Sequence, residues 1–349
     1  MRNTILLGDV RDRLADTGDH TVDSIVTSPP YHQLRDYHHP DQLGHEPTIG
    51  GWVDELQTVA RQWARVLRPG GTLWLNIGDG YSDHSKEGAA RKSLLLGPQR
   101  LALALADDGW IVRNQIIWHK PNGLPSSVQD RLSTQYEVIL LLTRSQRYYF
   151  NLDAIRVPAT STRRSRLPRR SGRPPTYPAS RTRPSPPPVA RTTGDADRGL
   201  AAMKRQGVSS HPLGKSPGDV WSIPTARYQG DHDATYPVAL AERCILAGTP
   251  ERVCATCRTP WRRATGVRDG RVLRIGALEP ACVCDAGWHP GLVLDPFMGA
   301  GTTAIAAEHH RRDWLGIELN PDYAAQAQTR IETARAKKEA PQPNTTTTE

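Results

Sequence analysis

Short apolar runs and amphipathic segments alternate along the first half of the chain. The apolar runs end at glycine, proline or charged residues, as strands of a buried sheet do; they are Thr4–Leu7, Ser24–Thr27, Thr72–Asp79, Trp110–Lys120 and Tyr136–Arg144. Apolar residues recur at helical spacing from Trp52 to Leu67 and again from Pro98 to Ala106. This alternation predicts an α/β fold with an open, mostly parallel sheet covered on both faces.

The periodic pattern is interrupted once and then resumes. The sequence "RYYF" (Arg147–Phe150) predicts an antiparallel hairpin with the strand before it, and from Val157 to Lys215 arginine, proline and serine replace any periodicity. A helix is predicted from about Pro237 to Leu246. A strand–loop–helix follows at Leu292–His310, and the sequence "WLGIELN" predicts the last strand before a final helix.

The charge of the chain is concentrated in one part of it. The net charge is +9, but residues 151–227 hold thirteen arginines and two lysines against four aspartates, a net +11, so the rest carries about −2. Such a segment is typical of binding to a polyanion, whereas a solvated linker with incidental arginines is the alternative. No 18-residue apolar run and no signal-peptide core are present, which predicts an intracellular, cytoplasmic protein without a membrane span.

Four of the five cysteines form two closely spaced pairs. Cys254-x-x-Cys257 and Cys282-x-Cys284 are 24 residues apart, and four thiolates can form a tetrahedral zinc site. Chance or redox-active cysteines are the alternative. Cys244 lies on a predicted apolar helix and is expected in the core.

The strand–loop–helix near the C-terminus has the pattern of a cofactor site. Asp295 ends a strand, Gly299 and Gly301 follow in a loop that we call the glycine loop (Asp295–Gly301), and Glu318 ends the next strand. An acidic residue about 20 positions downstream is suited to ribose hydroxyls. The glycines do not fit the dinucleotide pattern G-x-G-x-x-G, and no Gly-Lys-Ser/Thr follows, so a smaller nucleoside-like cofactor is expected.

An earlier strand ends in a second unusual segment. Ser28-Pro29-Pro30-Tyr31, the proline loop, follows the β-forming run Ser24–Thr27. Prolines cannot donate to a sheet ladder and restrict the residue before them, so they end the strand in a fixed, extended shape. An ordinary turn after a strand is therefore a sufficient explanation of this segment when it is considered alone.

The two loops together resemble those of amino-directed DNA methyltransferases. "LDPFMGAGTT" with "GIELNPDY" is similar to their S-adenosylmethionine site, and "TSPPY" to their catalytic loop. The proline loop comes first in the chain, as in the permuted β class. The resemblance covers nearly everything from Asn3 to about Arg335 apart from the Arg/Pro-rich part. It implies a Rossmann-like, circularly permuted S-adenosylmethionine-dependent methyltransferase fold with a mostly parallel, seven-stranded sheet and helices on both faces.

The resemblance also implies an organisation of the chain. The expected parts are a catalytic half (1–156), an Arg/Pro-rich target-recognition or disordered insert (157–218), a cofactor-binding half (219–335) with a zinc-ribbon-like, four-cysteine insert at 250–288, and a disordered tail (336–349). Arginines of the Arg/Pro-rich insert are the candidate DNA contacts: Arg163, Arg164, Arg166, Arg169, Arg170 and Arg173.

Residue roles follow from matching motif to motif. The proline loop would be catalytic: Ser28 and Pro29 would accept the hydrogens of an exocyclic amine, Pro30 would hold the shape, and Tyr31 would stack on a flipped-out base. The expected contacts to S-adenosylmethionine are Asp9, Thr235, Tyr236, Pro237, Asp295, Pro296, Phe297, Gly299, Gly301, Thr302 and Glu318. Cys254, Cys257, Cys282 and Cys284 would hold a structural zinc ion.

The expected function is transfer of a methyl group to double-stranded DNA, on N4 of cytosine. A serine before the two prolines resembles the cytosine enzymes, while N6-adenine methylation is the alternative because the permuted class includes adenine enzymes with serine. The carbon-5 cytosine enzymes are disfavoured, since no Pro-Cys dipeptide occurs. A zinc-containing nucleic-acid-binding protein without catalysis, or methylation of RNA or protein, are more distant alternatives. The protein would come from a prokaryote or phage, act as monomer or homodimer, and have a cognate restriction nuclease as a possible partner.

Overall fold

A computed structural model describes residues 1–123, 126–158, 211–225, 235–268 and 271–339. The chain divides into two compact units, one formed by Met1–Ile155 with Pro217–Glu349 and the other by Arg156–Ser216. In the second unit, Val157 and Lys215 form an antiparallel bridge. The candidate DNA contacts from Arg163 to Arg173 lie outside the described residues.

One large sheet forms the centre of the first unit. Within the described residues it has eight strands rather than the seven expected: β1 (Thr4–Leu7), β2 (Val22–Thr27), β3 (Leu67–Ile77), β4 (Ile111–His119), β5 (Tyr136–Thr143), β6 (Val220–Ser222), β13 (Leu292–Asp295) and β14 (Asp313–Glu318). Their order across the sheet is β1-β14-β13-β2-β3-β5-β4-β6. The additional strand is β6, a three-residue edge strand parallel to β4. The count of seven followed from the family resemblance, and this short strand adds one to it at the sheet edge.

The predicted hairpin partner of β5 is wrong. β5 pairs antiparallel with β3 on one side and with β4 on the other, so no edge is left for Arg147–Phe150. That segment is instead a loop against β3, where Tyr149 N donates to Gly70 O over 2.9 Å and the Phe150 ring stacks on Trp74. The aromatic residues of "RYYF" therefore cover the sheet rather than extend it.

Helices cover both faces of the sheet, as expected. They are α1 (Val10–Arg13), α2 (Ile49–Val66), α3 (Gly97–Asp107), α4 (Val238–Gly248), α5 (Thr302–His309) and α6 (Pro321–Glu339). One hydrophobic core lies between the sheet and α2 with α3, and the other between the sheet and α4 with α5. In β2, Ile25 belongs to the first core and Val26 to the second. Burial on both faces explains why this strand is a continuous β-forming run.

The cysteine insert (residues 250–288) adds short strands of its own. They pair as three two-stranded antiparallel ladders: β7 (Val253–Cys254) with β12 (Trp288–His289), β8 (Arg262–Arg263) with β11 (Leu278–Glu279), and β9 (Gly266–Arg268) with β10 (Arg271–Leu273). Among the described residues, no helix combines the length and apolar character that crossing a membrane requires.

Candidate active site

A cavity of about 760 Å³ opens where four parallel strands end. Its wall includes Asp9 after β1, Ser28 after β2, Phe297 after β13 and Glu318 at the end of β14. Carboxyl ends of neighbouring parallel strands meet at one edge of a sheet, which is where α/β folds bind ligands. The proline loop and the glycine loop, 267 residues apart in sequence at Ser28 and Asp295, therefore face one space.

The proline loop is fixed from behind by α2 and a nearby turn. Trp52 Nε1 on α2 donates to the Pro30 carbonyl oxygen over 2.9 Å, and Pro29 is buried. Gly44, at φ +100°, lets its turn approach the loop, since a Cβ there would lie 2.9 Å from the Tyr31 carbonyl oxygen. These contacts leave the loop little freedom, so its polar groups are held in place before any substrate arrives.

Three side chains meet around the Tyr31 hydroxyl, and a fourth joins them through Glu137. Ser28 Oγ lies 3.0 Å from it, Glu137 Oε2 on β5 lies 2.8 Å away, and Asn76 Nδ2 on β3 lies 2.9 Å away. Asn76 Nδ2 also donates to Glu137 Oε2 over 2.7 Å. The Lys120 ammonium, just after β4, forms an ion pair with the other oxygen of Glu137.

The proton positions in this cluster follow from counting donors. Glu137, paired with Lys120, offers only acceptors, so the Tyr31 hydroxyl donates its single proton to Glu137. Burial, and then the Glu137 charge, raise the pKa of Tyr31 well above its usual value, which keeps that proton in place. The Tyr31 oxygen then accepts from Asn76 and from Ser28. Ser28 Oγ has thereby donated its proton, and its lone pairs remain able to accept.

The Tyr31 ring packs tightly against a glycine. A Cβ at Gly78 would lie 2.6 Å from Tyr31 Cε2 and 2.9 Å from Cδ2. No real side chain tolerates such distances, so the absence of a side chain at residue 78 is what allows the ring its position. The ring is thus held at its hydroxyl by Glu137 and along one edge by Gly78.

The nucleoside end of the cavity is formed by Glu318 and the glycine loop. Gly299 N donates to Glu318 Oε2 over 2.7 Å, and Asn320 N donates to Oε1 over 2.9 Å. Burial raises the pKa of Glu318. Each carboxylate oxygen has a further lone pair, so Glu318 is able to accept from two vicinal hydroxyls at the cavity wall.

Asp9 and Phe297 line the same end of the cavity. Asp9 caps α1 by accepting from Arg11 N over 2.8 Å. Burial acts to raise the pKa of Asp9, but the hydrogen bonds and charge of Arg11 outweigh it and lower that pKa. The Phe297 ring contacts Trp63 edge to face, with ring centroids 6.3 Å apart. Pro296, Gly299, Thr302, Thr235 and Tyr236 also line the cavity.

Asp295, Gly301 and Pro237 lie behind the cavity wall and not on it. The Asp295 carboxylate is 2% exposed and accepts from Thr27 Oγ1 (2.7 Å), Phe297 N (3.1 Å), the Tyr236 hydroxyl (3.0 Å) and Thr303 Oγ1 (2.5 Å). Four donors use its four acceptor sites, so this carboxylate supports the glycine loop, and its expected contact with the cofactor stays a prediction. Gly301, at φ +76°, precedes α5, and Pro237 precedes α4, where each begins a helix.

The shape and chemistry of the cavity fit S-adenosylmethionine. Glu318 supplies carboxylate acceptors for ribose hydroxyls, and Phe297 and Val10 supply apolar surface for a base. Gly299, at φ +48°, places backbone in the cavity wall in a conformation that favours glycine. The volume also leaves room between this end and the proline loop for a second group.

Sequence reasoning missed Asn76, Lys120 and Glu137. All three line the cavity, yet each lies on or just after a strand that the chain motifs do not mark. A signal exists, because Asn76 interrupts the apolar run "LWLNI" and Glu137 is the acidic residue of the apolar strand "YEVILLLT". An apolar core offers such a polar side chain no hydrogen-bond partner. A polar residue in an apolar strand therefore indicates a position near the cavity, where partners are available.

The four paired cysteines converge, as the spacing predicts. The sulfur atoms of Cys254, Cys257, Cys282 and Cys284 all lie within 4.8 Å of one another. Cys254 is buried, while Cys257 and Cys284 are exposed. Cys244 lies in the core, where burial raises the pKa of its thiol.

Solved structures share this architecture. The PvuII DNA methyltransferase, described as cytosine-N4-specific, superposes with a TM-score of 0.57 at 16% identity, covering 96% of this chain and 91% of that one. A putative DNA modification methylase of Thermus thermophilus, solved with S-adenosyl-L-methionine, gives a TM-score of 0.50 at 22% identity, covering 95% of both chains. These likenesses establish the fold as that of the S-adenosylmethionine-dependent methyltransferases.

Sequence relatives extend the likeness to the family. The type II methyltransferase M.SmaI of Serratia marcescens is 31% identical, covering 94% of this chain and 90% of the relative. M.SfiI of Streptomyces fimbriatus is 31% identical, covering 91% and 88%. The family model described as DNA methylase matches residues 22–329, a range that holds the proline loop, the glycine loop and Glu318. The chain therefore belongs to the DNA methylase family and is an S-adenosylmethionine-dependent DNA methyltransferase.

Proposed function

We propose that this enzyme methylates N4 of cytosine, flipped out of duplex DNA into the space between the proline loop and the glycine loop. The observation that carries the proposal is the hydrogen-bond chain from Ser28 through Tyr31 to Glu137, which leaves Ser28 Oγ as an acceptor at the cavity wall. An exocyclic amine presents hydrogens, so an acceptor is the group that it needs.

The residues of the proline loop would activate the amine by positioning it. The nitrogen lone pair is delocalised into the base, and acceptance of its two hydrogens by Ser28 Oγ and the Pro29 carbonyl favours a more tetrahedral nitrogen. When bound, S-adenosylmethionine supplies an electrophilic methyl group on a cationic sulfur. The amine would gain that methyl group as the sulfur–methyl bond breaks, which leaves a neutral thioether, and would release one proton to solvent. Tyr31, held at its hydroxyl and edge, offers a ring on which the base can stack.

Two observations favour cytosine over adenine. Serine occupies the first position of the proline loop, as in enzymes of the cytosine type, and the PvuII enzyme with the same fold is described as cytosine-N4-specific. N6 of adenine is chemically the same kind of amine, and it is the alternative product that the experiment distinguishes.

The deciding experiment identifies the methylated nucleoside. Purified enzyme is incubated with labelled S-adenosylmethionine and DNA of varied sequence, and the digested product is analysed by mass spectrometry. N4-methylcytosine is expected. N6-methyladenine alone would overturn the assignment of the base, and absence of any transfer to DNA would overturn the assigned reaction. Ser28→Ala should abolish transfer while cofactor affinity is retained, and Ser85→Ala, at an exposed serine outside the cavity, is the matched control.

The type II relatives favour a role beside a restriction nuclease. We infer that the methylation protects host DNA against a nuclease that cuts the same sequence, and that the +11 segment supplies contacts to the DNA phosphates. DNA from cells expressing the enzyme should resist one type II nuclease in a panel, and DNA from cells with Ser28→Ala should be cut. Protection that persists with Ser28→Ala contradicts this role.

We also infer that the four clustered cysteines hold one zinc ion. Four thiolates at about 2.3 Å from a metal place their sulfurs roughly 3.8 Å apart, which the observed cluster reaches with a small contraction. Elemental analysis of the purified enzyme should give one zinc per chain, and Cys257→Ser should lose it. Two disulfide bonds in place of free thiols would contradict the inference.

A further inference from the structure

The cysteine cluster lies at the end of β2 opposite the catalytic end. Arg258, next to Cys257, contacts the start of β2, and Ser28 follows the last residue of that strand. Ser28 lies five positions after Asp23, which is roughly 16 Å of extended chain. The cluster is therefore too far from the cavity to act on the base or the cofactor, and any role must be exerted through the fold.

The turn that carries the cluster has an unusual backbone. Arg258 N donates to the Cys254 carbonyl oxygen over 3.0 Å, and Cys254 N donates to the Thr259 carbonyl oxygen over 2.9 Å. Arg258 has a left-handed conformation, with φ +60°. This conformation is unfavourable for a residue with a side chain, so it persists only where the surroundings impose it.

From that turn, the Arg258 side chain reaches a buried carboxylate of the central sheet. Arg258 Nη2 donates to Asp23 Oδ2 over 2.9 Å and to the Thr21 carbonyl oxygen over 3.1 Å. Arg68 Nη1 donates to Asp23 Oδ1 over 2.9 Å, and Leu292 N donates to Oδ2 over 2.9 Å. The Asp23 side chain is 2% exposed, so these donors replace water completely.

These contacts join four parts of the molecule at one carboxylate. Asp23 belongs to β2, Arg68 to β3, Leu292 to β13 and Arg258 to the cysteine insert. Arg68 also donates to the Arg258 carbonyl oxygen, so the two arginines are bound to each other as well as to Asp23. Without Arg258, Asp23 would keep Arg68 as its counter-charge, but Oδ2 and the Thr21 carbonyl oxygen would each lose a charged donor, which is destabilising at a buried site.

We propose that zinc in the four-cysteine cluster holds Arg258 on Asp23, so that the metal stabilises the strand that ends in Ser28. The proposal rests on the inferred zinc site and is independent of which base is methylated. The metal fixes the Cys254–Arg258 turn, the turn fixes the left-handed backbone of Arg258, and the guanidinium compensates a carboxylate at the amino end of β2. Zinc thus has a structural role for the catalytic domain and no part in the reaction.

The test is a cycle of two perturbations on the full-length enzyme. Zinc is removed from wild type and from Arg258→Met with a strong chelator, and the melting temperature is measured in all four states with zinc content and free thiols recorded. Methionine keeps the unbranched apolar stem of arginine and removes the guanidinium group. Arg262→Met, at an exposed arginine of the same insert, is the matched control.

The expected pattern is non-additive. Loss of zinc from wild type and the Arg258→Met substitution in the zinc-loaded protein should each lower the melting temperature by about 2–5 °C. Loss of zinc from Arg258→Met should lower the melting temperature by less than half of the decrease seen in wild type. Arg262→Met should show the same decrease as wild type.

Two results would overturn the proposal, and they are distinguishable. Absence of stoichiometric zinc from the purified enzyme would refute the metal site itself. Equal losses on zinc removal from wild type and from Arg258→Met would leave the metal site in place and refute its link to Asp23. Neither result depends on methylation activity, so the proposed function is tested separately.

Discussion

At the scale of single residues, the direction of one hydroxyl proton matters most. Glu137 takes the proton of Tyr31, and Tyr31 in turn takes that of Ser28, so a residue on β5 determines what Ser28 can do. In the proposed reaction, Glu137 would be a positioning residue. It would act on the amine through Tyr31 and Ser28, and Ser28 is 109 positions away from it in sequence.

Glu137→Gln should lower the rate of methyl transfer. Glutamine removes the charge that draws the Tyr31 proton and breaks the ion pair with Lys120. Hydrogen bonds to charged groups contribute about 1.5–3 kcal/mol, so single-turnover rates should fall by about 10- to 100-fold. Affinity for S-adenosylmethionine should be nearly unchanged. Glu332→Gln, at an exposed glutamate of α6, is the control, and equal rates for both variants would contradict this role.

Gly78→Ala should inactivate the enzyme without unfolding it. The new Cβ would lie 2.6 Å from Tyr31 Cε2 and force the ring out of place. Activity should fall at least tenfold while circular dichroism and cofactor affinity are retained. Gly50→Ala, where the nearest atom to an added Cβ is 3.8 Å away, should have wild-type activity. A fully active Gly78→Ala would show that the ring position is not required.

At the scale of elements, Asp295 supports the glycine loop from behind the cavity wall and makes the stability of the folded protein depend on pH. Burial raises the pKa of Asp295 to about 6 from an ordinary value near 3.8. The folded protein thus holds this proton where the unfolded chain has lost it. The stabilisation is complete below about pH 4 and is lost as the pH rises through about 6.

Asp295→Asn should therefore change the pH dependence of unfolding. Between pH 5 and 7, the wild type should lose about 1 kcal/mol of unfolding free energy that the variant does not lose. Urea denaturation at several pH values measures the difference between the two proteins. If the unfolding free energy of the wild type minus that of the variant stays constant or rises with pH, burial is not the cause.

The sequence predicts where strands and helices lie in the chain better than it predicts which strands pair in the sheet. The apolar runs of β2 and β5 and the helical spacing of α2 mark those elements because burial requires a continuous pattern. The sequence predicts a hairpin of β5 with "RYYF" because the two segments are adjacent in the chain. Its antiparallel partner β4 instead ends 17 residues before β5 begins, and no local pattern marks that pairing. The motifs predict Ser28, Phe297 and Glu318 at one cavity, but Asn76, Lys120 and Glu137 join it only through strand order.

At the scale of the whole molecule, the charge separation predicts how the enzyme holds DNA. Residues 151–227 carry +11 against about −2 elsewhere, so phosphate contacts should come mainly from this segment. Arg169→Ser with Arg170→Ser should reduce the slope of log affinity against log salt by about 2. Fluorescence anisotropy with duplex DNA measures it. Arg262→Ser is the control, and an unchanged slope in the double variant would place the contacts elsewhere.

The strand order has a consequence for synthesis on the ribosome. β1 pairs with β14, and one side of β2 pairs with β13, so the first strands to emerge wait for residues made about 290 positions later. Thr4 has its partner at Leu315. Contacts so distant in sequence close slowly, because the loop between them must be ordered first. A ribosome-bound chain that ends before Leu292 has the proline loop but lacks both β13 and the cofactor wall, so methylation capacity appears only after β14 has been made.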